Sequence, residues 1–249
     1  MKQIIVTILF IITSGLNAQV DSLFTKANKL YQNEKYNEAL EVYKEIEKHN
    51  IKTDDLLYNI ANTYYKMNKV APAIYYYEKV LLQNPGHIDA NFNLAFAKRM
   101  ALDNIEPLPK TVFQKINEGL ILKLTYNTWA WLAVGLSFLF AVLFLLYHFS
   151  YSSGSKRVYF ITSFVSAILA LSTIAIAYKN YNYVKSIKQA IVFAQQTEIK
   201  TAPTLSSEVS FLLHEGTKVN VLESLDNWKK IKIADGKIGW IVADDLKEL

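Results

Sequence analysis

The feature that most constrains this chain is a pair of long apolar runs in its middle. Residues 129–149 (WAWLAVGLSFLFAVLFLLYHF) and residues 158–178 are each 21 residues long and contain no Asp, Glu, Lys or Arg. At a rise of about 1.5 Å per residue, a helix of either run would cross a hydrocarbon core of about 30 Å. Only residues 150–157, which include Lys156 and Arg157, separate the two runs. We therefore expect a transmembrane hairpin rather than two buried helices of a soluble protein.

The N-terminus has the layout of a secretory signal peptide. Lys2 is followed by the apolar run Ile4–Ile12 and then by small and polar residues up to Ala18, after which cleavage is expected. An uncleaved anchor is the alternative, but a spanning helix needs about 20 apolar residues and this run is much shorter. A signal peptide places both flanks of the hairpin in the periplasm. The loop with Lys156 and Arg157 then faces the cytoplasm, as the positive-inside tendency favours.

The segment before the hairpin contains an internal repeat. The stretches ANKLY and ANTYY start at Ala27 and Ala61, which are 34 residues apart, and the same offset relates Tyr43 to Tyr77 and leads on to Ala95. A period of 34 residues is typical of a helix–turn–helix repeat. The segment resembles the tetratricopeptide repeat (TPR) family, which implies about two and a half repeats, close to the three or so that such an array needs.

The TPR resemblance implies a concave face that binds extended peptides or partner helices. An asparagine recurs on this face at Asn28 and Asn62, and an amide suits a peptide unit because it donates and accepts hydrogen bonds at once. The alternative is a solvated helix face with surface aromatic residues. The predicted partner-binding residues are Phe24, Asn28, Tyr31, Tyr58, Asn62, Tyr65, Lys66, Phe92, Phe96 and Arg99.

The segment after the hairpin predicts short strands. It is rich in Val, Ile and Thr, it alternates polar and apolar residues in TKVNVLE and WKKIKIAD, and Asp235-Gly236 is a hairpin turn signal. Over about 60 residues it resembles the bacterial SH3 (SH3b) domain, most clearly in GTKVNVLE and NWKKIKIADGKIGWI, which implies a small β-barrel. Such domains often bind cell-wall peptides or proteins, and Trp228 and Trp240 are the predicted ligand site. The alternative is that both indoles pack within the barrel.

The sequence contains no pattern typical of an enzyme. Cysteine is absent, the four histidines are far apart, and no phosphate-binding glycine loop or nucleophile motif is present. Neither flank of the hairpin is basic, because residues 19–126 and 179–249 each carry a net charge of +1, which argues against nucleic-acid binding. We expect no catalytic residue, no metal site and no cofactor.

These features together predict a multidomain membrane protein with an all-α TPR repeat, a two-helix transmembrane hairpin and a small all-β SH3-like barrel. The predicted segments, in chain order, are a signal peptide (1–18), TPR repeats (19–104), a linker (105–127), a first transmembrane helix (128–150), a short cytoplasmic loop (151–157), a second transmembrane helix (158–178), a linker (179–189) and an SH3b domain (190–249).

This order of segments resembles the BatE-like family of Bacteroides aerotolerance (Bat) proteins. The resemblance implies a non-enzymatic periplasmic scaffold, anchored in the inner membrane, in an envelope complex linked to aerotolerance or stress. It also implies partners among Bat-type proteins with von Willebrand A domains. The alternative is an envelope sensor that binds peptidoglycan through its SH3b domain. The sequence leaves open the partner, the ligand of the barrel, the oligomeric state and the physiological trigger.

Overall fold

The computed structural model describes residues 20–49, 51–186 and 188–249, which form two compact units. The predicted signal peptide lies outside the described residues. One unit contains the helical repeats and the C-terminal strands, with residues up to Gln83, His87–Leu108 and Lys188–Leu249. The other unit contains residues 84–86 and 109–187.

The N-terminal part of the first unit consists of antiparallel helices. They are α1 (through residues 20–32), α2 (Tyr36–Lys48), α3 (Asp54–Lys66), α4 (Val70–Gln83) and α5 (Ile88–Met100). The turn inside each repeat is the same, because Glu34 and Asn68 both adopt positive φ, at 60° and 55°. Thr53 caps α3 by accepting a hydrogen bond from the Leu56 amide. The helix pairs α1–α2 and α3–α4 are two copies of one helix–turn–helix repeat, and α5 corresponds to the first helix of a third copy.

The predicted 34-residue period describes the core of the repeats. Ala27 and Ala61 are fully buried, and so are Tyr43 and Tyr77 in the second helices. Ala95, the next residue in the alanine series, is instead exposed. The physical reason is that, among the described residues of the first unit, no second repeat helix follows α5 to pack on the position that the other two alanines fill.

The second unit contains two long apolar helices. Its elements are α6 (Val112–Ile116), a π-helical turn (Asn117–Ile121), α7 (Tyr126–Phe149) and α8 (Ser153–Ser186). By length and composition α7 and α8 are able to cross a membrane. Ser166 donates a hydrogen bond to the carbonyl of Leu136 at 2.9 Å, and Asn180 donates to the carbonyls of Ile121 and Leu124 at 3.2 and 2.8 Å. The Ser166 bond joins α8 to α7, and the Asn180 bonds join α8 to the turn that precedes α7, because a polar group in an apolar surrounding needs a partner.

The helix boundaries differ from those predicted from charge. The predicted loop 151–157 shortens to residues 150–152, since α8 begins at Ser153 and includes Lys156 and Arg157. The predicted linker 179–189 is helical as far as Ser186. Long cationic side chains can extend their charged ends to water from within a helix, so a charge does not have to end the helix.

The C-terminal part of the first unit is a seven-stranded antiparallel barrel-like sheet with the order β3-β2-β6-β5-β4-β1-β7. The strands are β1 (Lys188–Val192), β2 (Gln196–Lys200), β3 (Val209–His214), β4 (Lys218–Leu225), β5 (Trp228–Lys232), β6 (Ile238–Val242) and β7 (Leu246–Glu248). A side chain at Gly239 would collide with Ile199, so glycine permits the crossing of β2 and β6. The fold class predicted from the sequence is confirmed: a helical repeat, two long apolar helices and an antiparallel sheet consistent with an SH3b domain.

Candidate functional site

The barrel packs directly against helix α4 of the repeats. Ile191 of β1 is fully buried and belongs to the apolar core of the repeats. The Phe193 ring meets the Tyr75 ring edge to face, with 5.7 Å between centroids. Gly216 lies so close to Ile74 and Val70 that a Cβ there would be 3.0 and 3.1 Å from their methyl groups. The repeats and the barrel, predicted as separate modules, form one packed unit.

A buried carboxylate lies at the centre of this contact. Glu78 of α4 is only 5% exposed. Its Oε2 accepts a hydrogen bond from Lys218 of the barrel at 2.6 Å, and Lys98 of α5 forms an ion pair with its Oε1 at 2.9 Å. Burial alone would raise the pKa of Glu78, but the charges of the two lysines outweigh it and hold the pKa below its ordinary value.

A second carboxylate ties the segment after α5 to the barrel. Asp103 accepts hydrogen bonds from the backbone amide of His214 at 2.7 Å and from the Thr217 hydroxyl at 2.6 Å, and its Oδ1 lies 2.7 Å from Nδ1 of His214. Burial would raise the pKa of Asp103, but these bonds outweigh it and lower the pKa. The amide of Leu108 donates to the carbonyl of Ala234 at 3.1 Å, and Ile105 packs on the barrel core. The first residues of the predicted linker therefore belong to the packed unit.

The aromatic residues predicted for the concave face make the same ring contact in each of the first two repeats. The Phe24 ring packs on Tyr43 with 6.0 Å between centroids, and the Tyr58 ring packs on Tyr77 at 6.1 Å. Phe92 occupies the same position in α5, after which the described part of the first unit contains no second repeat helix, and it is 64% exposed. The aromatic surface therefore becomes more accessible towards the third unit.

The recurrent asparagines are built into hydrogen-bonded triads. Oδ1 of Asn28 accepts from the Tyr43 hydroxyl at 2.6 Å and from Nδ2 of Asn59 at 3.0 Å. The same contacts recur one repeat later, at 2.5 and 3.0 Å, in a triad formed by Asn62, Tyr77 and Asn93. Each triad uses the amide oxygen, so a ligand would meet the amide nitrogen of Asn28 or Asn62.

Sequence reasoning missed Asn59 and Asn93, which connect each first helix to the next. Their 34-residue offset was a usable signal, because they repeat with the same period as the predicted asparagines. Burial, and then the nearby Tyr31, raise the pKa of Tyr43 to about 12. Burial likewise raises the pKa of Tyr77. Both hydroxyls therefore stay protonated and act as donors in the triads.

The remaining predicted groove residues are Tyr31, Tyr65, Lys66, Phe96 and Arg99. Tyr31 and Tyr65 are half-buried, and the Tyr31 ring meets Tyr36 at 5.3 Å. Lys66 is exposed, and the Arg99 guanidinium lies 5.2 Å from the centre of the Phe96 ring. These cations give one end of the face a positive charge.

The two predicted barrel tryptophans lie on the same face of the β5–β6 pair. Trp228 is paired with Val242 and Lys230 with Trp240, so both indoles point away from the core side chain of Ile231. Trp240 is only 9% exposed, and Nζ of Lys230 lies 5.6 Å from its ring centroid. Trp228 is half-buried and offers the more accessible ring of the two.

Comparison with known families agrees with both folded parts of the first unit. Residues 196–247 match the family model of the bacterial SH3 domain. Residues 55–87 match the family model of the tetratricopeptide repeat. No curated protein matches the chain. The chain thus carries a TPR and a bacterial SH3 domain, two kinds of module that are typically non-catalytic and suited to binding proteins or the cell wall.

Proposed function

We propose that this protein is a non-enzymatic scaffold of the inner membrane that binds partner proteins in the periplasm through the concave face of its TPR units. The observation that supports this most is the repeated triad. It fixes Asn28 and Asn62 in the same orientation one repeat apart, beside the Phe24 and Tyr58 rings. Preoriented amide donors beside aromatic rings suit an extended peptide.

The packing of the barrel on α4 supports the expected topology. The repeats and the barrel form one unit, although the chain between them passes through two helices able to span a membrane. The repeats and the barrel must therefore lie on the same side of that membrane. The predicted signal peptide favours the periplasmic side. A Bat-type envelope complex, with von Willebrand A-domain partners and a role in aerotolerance or stress, is the specific context that the sequence resemblance supports.

Photocrosslinking in intact cells tests the groove. A benzophenone amino acid at Phe92 should form adducts with envelope proteins, whereas the same group at Glu45, which is exposed on α2, should form few. Asn62→Asp keeps an acceptor for Tyr77 and Asn93 but removes the amide donor. We expect about a tenfold loss of adducts, within the range for a buried hydrogen bond. Equal adduct yields at positions 92 and 45 would contradict the proposal.

Binding of peptidoglycan by the barrel is a second candidate function, favoured by the accessible ring of Trp228 beside Lys230. The full chain in detergent should be used for a sacculus pull-down, because an isolated barrel would expose Ile191 and Phe193. Trp228→Ala should abolish retention, while Leu222→Ala, an exposed apolar residue of the same barrel, should not. A native chain that is not retained would remove this candidate.

A further inference from the structure

Helix α5 presents an open face. Ala27 and Ala61 are fully buried in the first two repeats, whereas the equivalent Ala95 is exposed. The chain after α5 does not turn back on this helix, because Asp103 and Leu108 bind the barrel instead. The side of α5 on which a further TPR helix would pack is therefore uncovered in the first unit.

The concave side of α5, which adjoins this uncovered side, carries a regular pattern of two charges and two rings. Asp89, Phe92, Phe96 and Arg99 follow the spacing i, i+3, i+7, i+10, which places them on one side of the helix, opposite the buried Leu94. Phe92 and Phe96 are 64% and 37% exposed, and their rings meet edge to face at 4.8 Å. Within the described ranges 20–49, 51–186 and 188–249, neither Asp89 nor Arg99 has an ion-pair partner.

The pattern on one copy of α5 is complementary to the same pattern on a second copy that runs in the opposite direction. A two-fold axis through the exposed face at the level of Leu94 would place Asp89 opposite Arg99 of a second copy, and Phe92 opposite Phe96 of that copy. The ion pair between Asp89 and Arg99 would form twice, once at each end, and so would the contact between Phe92 and Phe96. An isologous interface requires this property, since each residue that contacts another must be contacted by it in return. Opposite charges at both ends also fix the antiparallel register.

We propose that α5 is a self-association surface, on which the α5 helix of a second copy of this chain packs in antiparallel orientation. The surface goes beyond the proposed scaffold function and does not depend on any groove ligand. It shares Phe92, Phe96 and Arg99 with the predicted groove. Self-association therefore competes with a partner at the third unit while leaving the Asn28 and Asn62 triads accessible.

Charge reversal tests the proposal on the full chain in detergent, with mass photometry as the readout. The native chain should form dimers. Asp89→Arg and Arg99→Asp should each raise the dissociation constant at least about tenfold, because like charges would face each other at both ends. A mixture of the two variants should form dimers again, since every pair in the mixed dimer joins an Arg to an Asp.

The mixture also separates the proposal from simple misfolding, which mixing cannot repair. Three results would overturn it. The native chain could stay monomeric, both variants alone could dimerise as the native chain does, or the mixture could stay monomeric. Association through α7 and α8 would give the second result.

Discussion

Lys218 in the barrel and Glu78 in helix α4 are joined by a 2.6 Å hydrogen bond across 140 residues of sequence, and the entire apolar hairpin lies between them in the chain. Lys98 contributes a second positive charge to the same carboxylate. Buried charges are retained only when they are paired. The contact therefore defines one relative position of barrel and repeats, and we treat them as a single functional body.

Removing one lysine should weaken this body measurably. Lys218→Met leaves Glu78 buried with a single partner, and we expect the free energy of unfolding to fall by about 1–3 kcal/mol. Lys237→Met is the control, because Lys237 is exposed and pairs with Asp235 at the surface, where an ion pair contributes about 0–1 kcal/mol. Hydrogen exchange of the α4 amides in the full chain measures the loss of stability in both variants. Equal protection in the two variants would show that the buried pair does not stabilise the contact.

The stability of the contact should depend on pH in the acid range. Glu78 and Asp103 both have pKa values lowered in the folded protein. Their contribution is therefore fully present above the unfolded pKa of about 4 and is lost as the pH falls through that value towards the folded pKa. Unfolding free energies should thus drop between pH 5 and pH 3. The double variant Glu78→Gln, Asp103→Asn should show a smaller drop, and an unchanged pH profile would contradict the role of these two groups.

The repeat architecture could be predicted from the sequence because the 34-residue period relates residues that are near one another in the chain. Ala27, Ala61, Tyr43 and Tyr77 are buried as the 34-residue offset requires. Ala95 continues the series in the sequence but is exposed, because within the described residues no second repeat helix follows α5. Periodicity identifies the packing position but not whether a neighbour is present to fill it.

The docking of the barrel was beyond sequence reasoning for a different reason. Glu78 reads as an ordinary surface residue of a helix, and only the arrival of Lys218 from a distant segment makes its burial tolerable. Asp103 likewise gains its partners from His214 and Thr217, more than a hundred residues away. Single-sequence patterns carry no information about such contacts, since each residue alone is compatible with a solvated position.

Gly216 should be intolerant of any side chain. Its φ of +89° disfavours other residues, and a Cβ would lie 3.0 Å from Ile74 and 3.1 Å from Val70. We expect Gly216→Ala to lower the free energy of unfolding by about 2–4 kcal/mol from strain and overpacking together. Adding Ile74→Val removes the closest methyl group and should restore part of this loss, as thermal unfolding would show. Ile74→Val alone is the control, because Ile74 is fully buried and its truncation has a cost of its own. If Gly216→Ala costs as much in the Ile74→Val background as in the native chain, the contact with Ile74 contributes nothing to the loss.

The side of the membrane is the last prediction, and the absence of cysteine makes it simple to test. We expect Asn33→Cys in the first repeat and Asn227→Cys in the barrel to react with an impermeant maleimide once the outer membrane is opened, while Ser153→Cys at the start of α8 stays unlabelled. Labelling of Ser153→Cys alone would place the repeats and the barrel in the cytoplasm and remove the cell wall as a ligand. Because barrel and repeats pack as one unit, positions 33 and 227 must behave alike in either case. A label at only one of them would contradict the docked barrel itself, whichever side the other occupies.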